Sequence, residues 1–223
     1  MNPEGIQTMD NKLKIKELRT ALEQLYLENS QKLLFHGWHH INFVSKKAIE
    51  FANPIEANAF LAESAGLVHD LNYIVEPNSE PEVGIDLRKD CLTKAGYSLE
   101  EISQIEGIIM ESHTRTRSNT ISKEGMALSD ADTLFKALPT TPILFASKYL
   151  TQNKVNIGKL ADKVSSEQNK LMESGIYFYT DLAKRKYLKW AEINLALWNN
   201  VNEALMDEDV VEMLEIAKKT ETV

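Results

Sequence analysis

The chain has 223 residues, with 25 Lys and Arg against 33 Asp and Glu, a formal net charge of -8 and a pI near 5.2. That balance excludes the basic field of a nonspecific nucleic-acid binder, but it leaves room for a local basic pocket that takes a phosphorylated small molecule. Cys91 is the single cysteine, so there is no internal disulfide framework, and no apolar run approaches membrane-spanning length.

Met1-Asn2-Pro3-Glu4 lacks the basic start and apolar core of a secretory signal, and a cytoplasmic protein is the expectation. The apolar period is helical nearly throughout. Leu13, Leu18, Leu22, Leu25 and Leu27 predict an amphipathic first helix behind a loose amino terminus. A second helix is expected from about Trp38 to Phe51, with Ile41, Val44, Ala48 and Phe51 inward, ending before Asn53-Pro54. A third spans about Ile55 to Asn72. Asn78 to Pro81 marks a turn, and Gly96 closes a fourth helix as its C-terminal glycine. Ser98-Leu99-Glu100-Glu101 reads as a capping box that opens a fifth. Along it Ile102, Ile105 and Ile109 form an inward stripe that His113 continues. Thr141-Pro142 has the form of another N-cap and first turn.

Three more helical stretches follow from about Asn156. Most of their aromatic residues (Tyr177, Phe178, Tyr179, Tyr187, Trp190 and Trp198) are assigned to the core. Alternating strands, internal repeats and low-complexity linkers are not found. The expected fold is an all-α, single-domain helical bundle over residues 1–223. Its chemistry lies at about 30–140 and a helical C-terminal part at about 141–220.

All five histidines lie between positions 36 and 113, three of them in Phe35-His36-Gly37-Trp38-His39-His40. His69-Asp70 follows, then Ser129-Asp130-Ala131-Asp132. Imidazoles and carboxylates brought from separate helices, without thiolate, suit a catalytic manganese, iron, cobalt, nickel or zinc ion. On a helix His40 shares a face with Val44 and Phe51 and points to the core. His36 precedes it by one turn if the helix reaches that far, and His39 is turned about 100° away.

Ala62, Ala65 and Gly66 on the face of His69 let a neighbouring helix come close. Asp70 ends an apolar segment, where an ionised carboxylate is costly unless it is paired or binds a cation. An adjacent His-Asp pair reaches one ion only from a helix end or a distorted turn. Ser129-Asp130-Ala131-Asp132 also matches a capping box, which would leave Asp130 as ligand or as partner to an imidazole. Periodicity favours Asp132, which aligns with Leu128 and Phe135, over Asp130. His113 is followed by Thr114-Arg115-Thr116-Arg117, a basic, hydroxyl-rich turn. Lys136, one turn after Asp132, either reaches a phosphate or is a solvated surface lysine.

The order of His40, His69-Asp70 and Asp132, the last within Ala131-Asp132-Thr133-Leu134, resembles the HD-domain superfamily of metal-dependent phosphohydrolases over roughly residues 30 to 140. The resemblance implies one divalent ion (Mn, Fe, Co, Ni, Zn or Mg) held by His40, His69, Asp70 and Asp132. It implies hydrolysis of a phosphorylated small molecule, a nucleotide or related phosphoester, by metal-activated water. Asp70, His36 and His113 would be the catalytic groups, and His113, Arg115 and Lys136 would contact substrate phosphate. His36 stands four residues before the metal histidine, as the acid does in cyclic-nucleotide phosphodiesterases of the superfamily, and would protonate the leaving oxygen. Many nucleotidases of the superfamily carry a Glu three residues after the doublet Asp. This chain has Tyr73 there, which departs from a deoxynucleotide monophosphatase.

Two other readings stay open. One is a noncatalytic module that keeps the site as a ligand sensor. The other is a di-iron oxygenase, which needs more histidine ligands than His113 supplies. Neither a nucleic-acid polymer nor a membrane is an expected partner. The aromatic tail is open to a homodimer face or to a wall of the substrate pocket.

Overall fold

The computed structural model describes the backbone of residues 3–220 and the side chains of residues 7–220, and among the described residues there is no strand. The helices in chain order are α1 (Pro3–Glu28), α2 (Trp38–Ala52), α3 (Ala59–Val68), α4 (Asn72–Val75), α5 (Ile85–Lys94) and α6 (Leu99–Ser112). They are followed by α7 (Lys123–Ala137), α8 (Thr140–Leu144), α9 (Ala146–Asn153), α10 (Ile157–Glu173), α11 (Asp181–Ala204) and α12 (Glu208–Lys219). The fold is all-α. No helix among the described residues is long and apolar enough to cross a membrane.

The core is built around α2, which packs most extensively on α7 and α3. Ile41, Val44, Ala48 and Phe51 of α2 are fully buried. They meet Ala62, Ala65 and Val68 of α3 and Ala127, Leu128, Ala131 and Leu134 of α7 in one continuous apolar cluster. Small residues let the backbones close in. A Cβ on Gly66 would lie 2.8 Å from the Cα of Ser45, so the α2–α3 crossing requires glycine there. A smaller cluster forms around Leu160, Ala161 and Trp198, where α9, α10 and α11 meet.

Capping fixes the helix starts. Ser98 and Glu101 form the reciprocal capping box that opens α6, and Gly96, at φ +85°, lets the chain turn out of α5. Arg88 of α5 is fully buried and bonds Glu106 of α6 through Nε (2.8 Å) and Nη2 (2.6 Å) and the Pro81 carbonyl through Nη1 (2.8 Å). That network fixes Pro81 at the end of the turn expected at Asn78 to Pro81.

Several expectations change. The first helix begins at Pro3, and Leu13 and Leu27 are exposed, so its inward stripe is Leu18, Leu22 and Tyr26. The expected third helix is interrupted. Glu56 adopts a left-handed conformation, Asn58 caps α3, and the helix stops at Val68, before His69-Asp70. Thr141 is not an N-cap; α8 starts at Thr140, and the Thr141 hydroxyl donates to the Phe135 carbonyl at 2.6 Å. Of the tail aromatics, Tyr177, Phe178 and Trp198 are buried, Tyr179 and Tyr187 are half-buried and Trp190 is exposed.

Candidate metal centre

α2 delivers His40 from its first turn, 1% exposed, with its ring edge-on to Phe135 of α7 at 4.6 Å. His69 and Asp70 come from the turn that ends α3. Their ligand atoms converge. His40 Nε2 is 3.2 Å from His69 Nε2, and Asp70 Oδ2 is 3.0 Å from the first and 3.2 Å from the second. Among the described residues, these three side chains form a group whose ligand atoms all lie within 4.8 Å of one another. Asp132 of α7 stands at its edge, with Oδ1 3.6 Å from His40 Nε2 and Oδ2 held by Lys136 Nζ at 2.6 Å.

The donor set fits a divalent cation. Two ligand atoms each bound at about 2.1 Å to one ion stand roughly 3–3.5 Å apart, the spacing observed here. His69 Nδ1 lies 3.0 Å from the Gly66 carbonyl. A carbonyl only accepts, so Nδ1 carries a proton in either charge state, and it is the neutral form of the ring that turns an Nε2 lone pair to the group. His40 Nδ1 is buried without a partner.

Electrostatics agree with that geometry. Burial alone would raise Asp70, but the charge of His69 and the hydrogen bonds from His40 and His69 outweigh it and hold the carboxyl well below the usual range. For Asp132 burial is likewise outweighed, here by Lys136, His40 and His69, and its pKa is lowered. His69 shifts the other way, because Asp70 overcomes the burial that would lower it.

A cleft opens beside the group, lined at this end by His36, His69, Asp70, His113, Asp132 and Lys136. His36 precedes α2 in the loop and does not lie on the helix, but it is still 7% exposed. Its ring stacks on Tyr73 at 4.0 Å. Gln152 Oε1 accepts from the backbone N–H of Phe35 (2.7 Å) and of His36 (3.3 Å), so its Nε2 must be the donor to His36 Nδ1 at 2.6 Å. His36 is thereby set as the Nε2–H tautomer, and burial pushes its pKa down to about 3. In that form His36 is a neutral hydrogen-bond donor beside the group.

His39 points elsewhere and stacks on Phe145 at 4.8 Å. His113 ends α6, half-buried at the cleft, with its pKa lowered by burial. Arg115 lines the rim, exposed, and is paired with Glu80. Arg117, not singled out from sequence, is the buried member of that turn and bonds Thr133 Oγ1 at 3.0 Å.

Asp130 lies apart from the group. Its Oδ1 accepts from the Tyr179 N–H (2.7 Å), and its Oδ2 accepts from the Thr180 N–H (2.8 Å) and hydroxyl (2.7 Å), which secures the start of α11. Burial raises its pKa to about 6 despite those bonds. The capping-box reading of Ser129 and Asp132 does not hold, since both sit inside α7, whose N-cap is Ser122.

No family model matches the chain. The Bacillus subtilis (strain 168) protein YpgQ, described as uncharacterized, is 28% identical over 123 residues, a match that spans 53% of this chain and 58% of that relative. The crystal structure of B. subtilis YpgQ in complex with ADP superimposes with a TM-score of 0.60 at 20% identity, over 87% of this chain and 96% of that one. A Lactobacillus plantarum protein gives 0.59 at 18% identity, over 86% and 95%. The chain therefore has the fold of YpgQ-type proteins.

Proposed function

We propose that this chain is a metal-dependent phosphohydrolase of the HD-domain type, acting on a nucleotide or a related phosphoester. The observation that carries the reading is the convergence of His40, His69 and Asp70 within 4.8 Å, beside Asp132 and a cleft. A divalent ion held by His40, His69, Asp70 and Asp132 would supply Lewis acidity and a bound water of lowered pKa.

The chain's own residues do the rest. Asp70 and Asp132 stay ionised and offset the ion's charge, and the Gly66 carbonyl keeps the His69 lone pair aimed inward. Lys136 lies on the cleft and draws negative charge, and so would neutralise phosphate oxygens where electrostatic positioning matters most. His113 and the Nε2–H of His36 add donors at the same end of the cleft. Arg115 reaches phosphate only by exchanging its Glu80 partner. Of the remaining three histidines, His39 stacks on Phe145 and His36 is held by Tyr73 and Gln152, and none of the three joins the His40, His69 and Asp70 group, which supports one ion over a di-iron pair. YpgQ has been crystallised with ADP, and this supports a nucleotide as the ligand.

The test is a Mn2+-supplemented screen of nucleoside mono-, di- and triphosphates and generic phosphoesters, repeated on Asp70→Ala. Turnover of a nucleotide by the native chain and background rates in the variant are expected. Equal background rates in both proteins would reject hydrolysis.

A further inference from the structure

The cleft extends past Lys136 between α9, α10 and α11. Tyr149, Leu160, Val164, Leu171 and Trp198 line this part, and Asn194 lies among them. Leu160, Val164 and Leu171 recur at helical spacing on α10. Asn194 and Trp198 stand one turn apart on the facing helix α11, so both helices turn one side to the same space.

Asn194 is 3% exposed. Its Nδ2 donates to the Lys136 carbonyl at 3.1 Å, which fixes the orientation of the amide, because only the nitrogen can donate. The other atom, Oδ1, is buried and has no hydrogen-bond partner. A buried amide oxygen without a donor is unfavourable and rare in a folded protein. Here it belongs to a residue that lines a cleft and is tied to the backbone of Lys136, whose ammonium group pairs with Asp132.

We propose that this half of the cleft is a nucleoside compartment in which Asn194 Oδ1 accepts a hydrogen bond from a hydroxyl or amino group of the ligand. The proposal rests on the nucleotide reading above and adds which part of the nucleotide is recognised. Lys163, Glu167 and Gln168 of α10 also line this part, but Lys163 is bonded to Tyr149 and Gln168 to Tyr177, whereas Asn194 Oδ1 is a buried acceptor with no partner. Largely apolar and aromatic walls with such an acceptor suit a planar base or a sugar face, held by packing and oriented by a directional bond. The phosphates would lie toward Lys136 and the carboxylates.

Binding to chelator-treated protein, measured by calorimetry, tests this without turnover. The probes are ADP, its 2′-deoxy and 3′-deoxy forms, and purine riboside 5′-diphosphate, which lacks the 6-amino group. One of the three analogues is expected to bind at least about tenfold more weakly than ADP, and which one it is separates a sugar hydroxyl from a base amine. In Asn194→Leu, ADP should weaken to the level of that analogue and the discrimination should disappear. Equal affinity for all four ligands, as a trapped water on Oδ1 would produce, overturns the proposal, and so does discrimination that survives in Asn194→Leu. Should the variant fail to fold, the native ligand series decides alone. If ADP does not bind while Mn2+ still does, the nucleotide reading itself falls, a result distinct from uniform binding.

Discussion

Asp130 and Asp132 stand two positions apart on α7 and face different partners. Asp132→Ala should weaken Mn2+ binding by at least about tenfold. Asp130→Ala should leave that affinity near native but lower unfolding free energy by about 2–4 kcal/mol, since it strips the acceptor from two backbone N–H groups and a hydroxyl. Calorimetric Mn2+ titration and urea unfolding of both variants check the division. The choice between the two was open from the sequence, where periodicity favoured Asp132. The cap made by Asp130 was not legible, because its partners lie 49 and 50 residues later. Gln152 and Asn194 are unreadable for the same reason: amides far from the motif, given meaning only by chain folding. His69 carries the pH dependence. Asp70 raises its pKa, and an ion must displace that proton, so Mn2+ affinity should fall as pH drops through the raised value. In the metal-free chain the sign reverses: the imidazolium–carboxylate pair stabilises the fold at low pH, and that contribution is lost as pH rises through the same value. Titrations and thermal melts between about pH 5.5 and 8 should show both trends.

At the scale of elements, the site depends on how closely α3 approaches α2. Gly66 does two things: its missing Cβ admits Ser45, and its carbonyl orients His69. Gly66→Ala should cost about 1–3 kcal/mol and also weaken metal binding, because backbone and not a flexible side chain stands in the way. Gly107→Ala is the contrast. That glycine is exposed on α6 with nothing within 4 Å of an added Cβ, and alanine there should stabilise by about 0.5–1 kcal/mol. Chemical unfolding of the two variants separates helix propensity from helix approach. Ala62, Ala65 and Gly66 made this crossing readable in the sequence, and the capping box of α6 was readable for a similar local reason. The break of the third helix was not read, since the apolar pattern from Ile55 to Asn72 is continuous and only Asn58 hints at a restart. The other end matters to the site: α3 stops at Val68, where His69 and Asp70 can both turn inward.

At the scale of the molecule, one core holds the carboxylate–imidazole group between α2, α3 and α7, and a second, smaller cluster walls the far end of the cleft. The all-α class was legible because the helical period runs through nearly the whole chain. How the tail completes the cleft was not, because Tyr149, Leu160, Val164 and Trp198 look like ordinary core positions until α10 and α11 are placed beside α7. The ligand candidates come from three separate stretches of sequence, so their convergence is a property of the whole fold. The metal content of protein loaded with Mn2+ and then desalted tests that convergence most directly. About one ion per chain is predicted for the native protein, falling to a small fraction in His69→Ala and in Asp70→Ala. A native chain that retains no ion, or variants that retain as much as the native chain does, would contradict the account.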